Sequence, residues 1–185
     1  MGASGMSVGP DGIVSGARYV PSPNCDDRPA LAAVTLLVVH SISLPPGEYG
    51  GDSVEKFFTN RLDPGAHPYF EGIRDLRVSA HFFVRRNGEV VQFVPVGRRA
   101  WHAGASAWRG RARCNDFSVG VELEGMDDAV YEPVQYTRLV ALASALRAAL
   151  PLTSVVAHSD VAPGRKTDPG PLFDWPRLLA LIAQP

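Results

Sequence analysis

The chain has 185 residues, 45% hydrophobic and 20% charged, with a formal net charge of −1; the length fits one domain with a sizeable core. The balance of 18 Lys+Arg against 19 Asp+Glu argues against nucleic acid or an anionic membrane as the main partner, since both call for a basic face. No apolar run approaches the roughly 20 residues of a membrane span, and 18 Gly with 16 Pro describe a loop-rich domain rather than a helical bundle.

Residues 1–28 are Gly/Ser-rich at the start and lack the basic and apolar regions of a secretory signal. They read as an irregular lead-in to a single domain over residues 29–185, with the cytoplasm as the default location. Cys25 and Cys114 lie far apart and match no CxxC pattern, so they read as two reduced thiols. The β-branched run Val34–His40 predicts a central strand covered on both faces. Leu44–Gly51 is a loop, and Asp52 with Glu55 predicts a capping box opening a short helix over Ser53–Thr59. Asn60–Asp75, broken by Pro64, Gly65 and Pro68, reads as an irregular surface loop.

Period-2 patterning follows. Ala80–Arg85 and Glu89–Val94 flank Asn87-Gly88, a strong hairpin signal. Phe117–Glu124 alternates as another strand, with Glu122 on the face opposite Val121 and Leu123. Leu139, Leu142 and Leu146 predict an amphipathic helix over Val134–Leu150, closed by Pro151. Ser154–His158 reads as a short strand and Trp175–Ile182 as a last helix. The expected class is α/β, a mixed sheet with helices packed on it.

The chemistry lies where polar residues end apolar strands. His40 and His158 each close a strand, and Asp168 follows in a Pro/Gly-fixed loop. Two imidazoles and a carboxylate, with a fourth position for water, form a ligand set known from catalytic zinc sites. Glu122 could act as general base beside such a metal, and Lys166 could face a developing oxyanion. Each residue alone also has an ordinary reading: strand-end histidine, turn aspartate, solvated strand glutamate, surface lysine.

These residues sit in an ordered series of motifs: Leu37-Val-Val-His40, Ser43-Leu-Pro-Pro-Gly-Glu48, Leu76-Arg-Val-Ser-Ala-His81, Arg99-Ala-Trp-His-Ala-Gly104, Cys114-Asn-Asp-Phe-Ser118, Val121-Glu-Leu-Glu-Gly125 and Arg165-Lys-Thr-Asp-Pro-Gly170. The series resembles the zinc-dependent N-acetylmuramoyl-L-alanine amidases of AmpD type, from about Gly16 to Leu181. The resemblance implies a central mixed β-sheet flanked by helices, with one zinc ion in a surface groove held by His40, His158 and Asp168. It implies catalytic roles for Glu122 and Lys166. It also implies substrate contacts from Arg77 and Arg113 to stem-peptide carboxylates, and from Trp101 to the sugar. The bond cut would join the lactyl group of an anhydro-muropeptide to L-alanine, in cytoplasmic peptidoglycan recycling, with no protein partner implied. His81 and His102 lie inside motif segments and could support the groove.

Ser41 and Ser159, beside the two histidines, depart from the asparagine and cysteine expected in the family. Three other readings compete with this one. They are an amidase acting on intact peptidoglycan, a peptidoglycan-binding module without catalysis, and a cysteine hydrolase pairing Cys114 with His102.

Overall fold

The computed structural model describes residues 5–182. In chain order its strands and helices are β1 (Arg18–Tyr19), β2 (Cys25–Asp27), β3 (Leu36–Ile42), α1 (Ser53–Phe58), α2 (Pro68–Ile73), β4 (Phe82–Val84), β5 (Val90–Gln92), β6 (Arg98–Ala100), β7 (Ala107–Trp108), β8 (Arg111–Ala112), β9 (Ser118–Glu124), α3 (Pro133–Ala149), β10 (Ser154–Ala157), α4 (His158–Val161) and α5 (Trp175–Ile182). A six-stranded sheet runs in the order β1-β5-β4-β9-β3-β10. Only β4 and β5 pair antiparallel within it, so the sheet is mixed, as expected.

Parity along the strands divides the core. Leu37 and Val39 of β3, with Val119, Val121 and Leu123 of β9, pack against Leu139, Leu142 and Leu146 of α3. Each such fully buried side chain contributes roughly 1.5–3 kcal/mol of transfer free energy. Leu36 and Val38 point the other way, toward Ala103, Cys114 and Phe117. His40 shares their parity, as Ser118, Gly120 and Glu122 do on β9. His40, Ser118 and Glu122 therefore lie on the face away from α3. α3 opens on Pro133 at its first turn, with Gln135 Oε1 accepting from the Glu132 N–H at 2.9 Å.

Several local expectations need correction. Residues 18–19 and 25–27 of the lead-in are strands, β1 pairing with β5 and β2 with β6; the residues before Gly5 lie outside the described ones. The capping box at Asp52 does not form. Asp52 pairs with Lys56 instead, at 3.0 Å, and Glu55 reaches across to Arg18 at 2.6 Å, tying α1 to β1. The segment 60–75 is not irregular: a 3-10 turn at Pro64–Ala66 leads into α2. His67 Nδ1 accepts from the Tyr69 N–H at 3.1 Å, and Pro68 occupies the first helical turn, so the proline starts a helix rather than breaking one. Asn87-Gly88 does turn a hairpin, but a wider one. Gly88 N–H bonds Arg85 O, Arg85 N–H bonds Glu89 O, and Gly88 adopts φ +85°, a type I turn followed by a left-handed bulge residue.

Candidate active site

His40 sits near the carboxyl end of β3, and His158 follows directly on β10 as the first residue of α4. Open α/β sheets present ligands at this end of their strands. The loop after α4 returns so that Ser159 N–H donates to Asp168 O at 3.1 Å, which fixes Asp168 beside both rings. His40 Nδ1 and His158 Nδ1 are 2.9 Å apart, His158 Nδ1 and Asp168 Oδ2 3.0 Å, and His40 Nδ1 and Asp168 Oδ2 3.3 Å. A tetrahedral zinc ion with ligand bonds of 2.0–2.1 Å has ligand–ligand edges of about 3.3–3.4 Å. The triangle of two nitrogens and one oxygen therefore matches one face of that tetrahedron, slightly contracted.

The electrostatics agree with a ligand role. Burial pushes His40 down to about 4, against the raising effect of the Asp168 hydrogen bond, so its ring is neutral at neutral pH. Burial alone would raise the Asp168 carboxyl; the His158 hydrogen bond and the adjoining His40 ring outweigh it and hold the group well below the usual carboxylate range. A neutral imidazole with an ionised carboxylate is the protonation state that metal binding requires.

Glu122 lines the same cavity, of about 820 Å³, with His40, His158, Asp168, Lys166 and Trp101. Such a volume suits a small-molecule site. Burial first, then the negative charge of Asp168, pushes the Glu122 carboxyl well above its ordinary value, with Lys166 opposing. Glu122 Oε2 is buried without a hydrogen-bond partner among the described residues. A proton-avid carboxylate with an unengaged oxygen beside a triangle of atoms that could hold a metal ion is equipped to take a proton from water.

The family model for N-acetylmuramoyl-L-alanine amidase matches residues 30–171. The chain belongs to this family. It is 54% identical over 175 residues to the Escherichia coli (strain K12) 1,6-anhydro-N-acetylmuramyl-L-alanine amidase AmpD, covering 94% of this chain and 96% of that protein. Among solved structures it matches the crystal structure of a Se-Met AmpD derivative at TM-score 0.91 and 54% identity, covering 93% of this chain and 97% of that one. A more distant match is E. coli AmiD, solved in complex with the substrate anhydro-N-acetylmuramic acid-L-Ala-D-gamma-Glu-L-Lys. It has TM-score 0.59 and 35% identity, over 83% of this chain and 60% of that one.

The remaining expected residues of this amidase are distributed unevenly. Lys166, exposed, and Trp101, half-buried, both line the cavity. Arg77 does not; it borders a smaller neighbouring cavity of about 220 Å³ that shares Phe57, Ile73 and Leu76 with the first. Its Nη1 donates to Arg74 O and Leu76 O at the end of α2. Arg113 is exposed outside both cavities, with φ +63° and its Nε 3.2 Å from Asp116 Oδ2.

The cysteine-hydrolase arrangement is absent. Cys114 is a buried thiol that burial pushes up, while the two ring nitrogens of His102 face His40 and Ser118. Sequence reasoning assigned Arg165 and Asn115 no role, yet both hold the Ala103 segment that packs against His158. Arg165 Nη2 donates to Ala103 O at 2.6 Å, and Asn115 Oδ1 accepts from Ala103 N–H at 2.8 Å. Both belong to motif segments already singled out, which was the available signal. Among the described residues no helix is long and apolar enough to cross a membrane.

Proposed function

We propose that this chain is a zinc-dependent amidase acting on 1,6-anhydro-muropeptides, cleaving the amide between the lactyl group and L-alanine, in cytoplasmic peptidoglycan recycling. The observation that carries the metal is the convergence of His40 Nδ1, His158 Nδ1 and Asp168 Oδ2 within 3.3 Å of one another. The substrate class rests on the AmpD relatives, whose names specify the anhydro sugar, and on AmiD, solved with such a substrate.

When bound, zinc supplies Lewis-acid polarisation of a carbonyl oxygen and acidifies water toward neutral pH. Glu122 Oε2 accepts the proton of the attacking water as its oxygen adds to the amide carbon. The same carboxyl then delivers that proton to the leaving nitrogen as the C–N bond breaks, so the products are the lactyl carboxylate and the free peptide amine. Lys166, on the cavity wall, donates to the oxyanion formed in between, an interaction type worth about 3 kcal/mol per donor. Trp101 offers an aromatic surface for the sugar. Both backbone bonds of Arg77 use Nη1, leaving its Nε/Nη2 edge for a stem-peptide carboxylate. Arg113, anchored through Nε to Asp116, would reach a longer stem peptide only from outside the cavity.

Mass spectrometry of products from 1,6-anhydromuramyl tripeptide, with zinc and again with chelator, tests this reading. Zinc-dependent release of free tripeptide and anhydro-N-acetylmuramic acid is expected. Bound zinc with no release, or release that a chelator leaves untouched, would overturn it.

A further inference from the structure

Each histidine that faces the metal position must turn an unprotonated nitrogen toward it, so its proton has to sit on the other nitrogen. The structure shows what holds each proton there. His158 Nε2 lies 3.3 Å from Ala103 O, an oxygen that can only accept. The His158 Nδ1 faces Asp168 Oδ2 at 3.0 Å, which also only accepts, so Ala103 O is the acceptor that takes the ring proton on Nε2 once a metal occupies the Nδ1 lone pair.

His40 is set through a longer chain of bonds. Its Nε2 is 2.9 Å from His102 Nδ1, and His102 Nε2 is 3.0 Å from Ser118 Oγ. Ser118 has one hydroxyl proton, donated to Cys114 O at 2.6 Å. Ser118 Oγ must then accept from His102 Nε2–H, which leaves His102 Nδ1 as the acceptor for His40 Nε2–H. The polarity starts at a carbonyl and ends with a bare lone pair on His40 Nδ1.

The two acceptors belong to consecutive residues, and that short segment is itself held. Asn115 Oδ1 accepts from the backbone N–H of both His102 and Ala103, at 3.2 and 2.8 Å. Arg165 Nη2 also donates to Ala103 O, at 2.6 Å. Gly120 leaves room for the imidazole: a Cβ there would lie 2.4 Å from His102 Cγ.

We propose that His102, clamped together with Ala103 by Asn115, is a positioning residue that fixes the tautomer of His40 for binding through Nδ1, while Ala103 O accepts the His158 Nε2–H when Nδ1 holds the metal. This deepens the zinc reading above and rests on it. Outer partners of this kind typically change metal affinity 10–100-fold when removed.

Two measurements test the clamp. Long-range ¹H–¹⁵N NMR of the metal-free chain at neutral pH reads the histidine tautomers directly; the proton is expected on Nε2 of His40. Zinc affinity by chelator competition is then compared for wild type, His102→Phe and His102→Asn. His102→Phe keeps the ring volume without an acceptor and should bind zinc 10–100-fold more weakly. His102→Asn places an amide oxygen where Nδ1 was and should recover most of that loss. A proton on His40 Nδ1 in the metal-free wild type overturns the proposal, as does unchanged zinc affinity in His102→Phe. Failure of the wild type to bind zinc would sink the ligand assignment instead, and the NMR result would still decide the clamp. It would decide it too if His102→Phe does not fold.

Discussion

His40 and Glu122 are register partners on the adjacent parallel strands β3 and β9. Neighbours at matched register share a face, about 4.8 Å apart, so one strand presents an imidazole and the next a carboxylate on the same side of the sheet. The cavity then contains two carboxyl groups pushed in opposite directions. The neighbouring histidines hold Asp168 ionised, whereas burial and the Asp168 charge make Glu122 avid for a proton. Paired carboxyls driven apart in this way divide into a charged ligand and a proton carrier.

That division predicts the behaviour of Glu122→Ala. The three proposed ligand atoms come from other residues, so zinc stoichiometry measured by elemental analysis should match wild type. Turnover should fall by about 10²–10⁴-fold, the usual contribution of a general base. Glu122 Oε2 has no partner to orphan, so the urea midpoint should hold or rise. An active Glu122→Ala enzyme would remove the assigned role.

His158→Ala should behave differently, losing metal and turnover together. Zinc binding stabilises only the folded chain, by about 2.7 kcal/mol at a free concentration of 100 Kd. Wild type should therefore show a melting temperature that rises with zinc and drops with chelator, and His158→Ala should show neither response. A zinc-dependent shift retained in His158→Ala would place the metal elsewhere.

How much of this was legible depended on what kind of signal each residue left. His40 and His158 stood out because a polar side chain closing a β-branched run is conspicuous, and Asp168 because Pro169 and Gly170 mark its loop. The parity of Glu122 was also readable, but its burial was not. β9 is covered on both faces, and the cover on the polar face comes from loops distant in sequence. Short strands such as β1 and β2 carry too few residues for a period and are defined only by partners far along the chain. Pro68 misled because proline reads as a breaker until His67 is seen capping the turn it begins. Arg77 and Arg113 followed from the family resemblance, which fixes chain position and not side-chain direction; one turned to cap α2 and the other to Asp116.

Gly170, two residues after Asp168, gives a paired test of backbone requirement. It adopts φ +85°, and a Cβ there would meet the Asp127 backbone at 2.3 Å. Gly164 in the same loop has φ +75° but open space around it. Gly164→Ala should cost only the left-handed conformation, about 1–2 kcal/mol. Gly170→Ala adds a clash between main chains that no side-chain rotation relieves, and should cost clearly more in urea denaturation while weakening zinc binding through Asp168. Equal losses in the two variants would contradict the close approach.

The pH dependence of stability should carry the mark of His81. Its Nδ1 accepts from Gly120 N–H at 3.1 Å, and Arg28 lies beside its Nε2. Burial, with the Arg28 charge adding to it, pushes the ring down from 6.5 to about 3. Between these values the unfolded chain takes up a proton that the folded chain refuses. The stability contributed is therefore complete above pH 6.5 and is lost as pH falls toward 3, with a slope approaching about 1.4 kcal/mol per pH unit. His81→Asn keeps an acceptor for Gly120 but cannot titrate, so its stability should fall less steeply between pH 6 and 4 by about that amount. Urea unfolding in saturating chelator isolates the comparison from zinc release, and parallel slopes for the two proteins would show that His81 titrates freely in the folded chain.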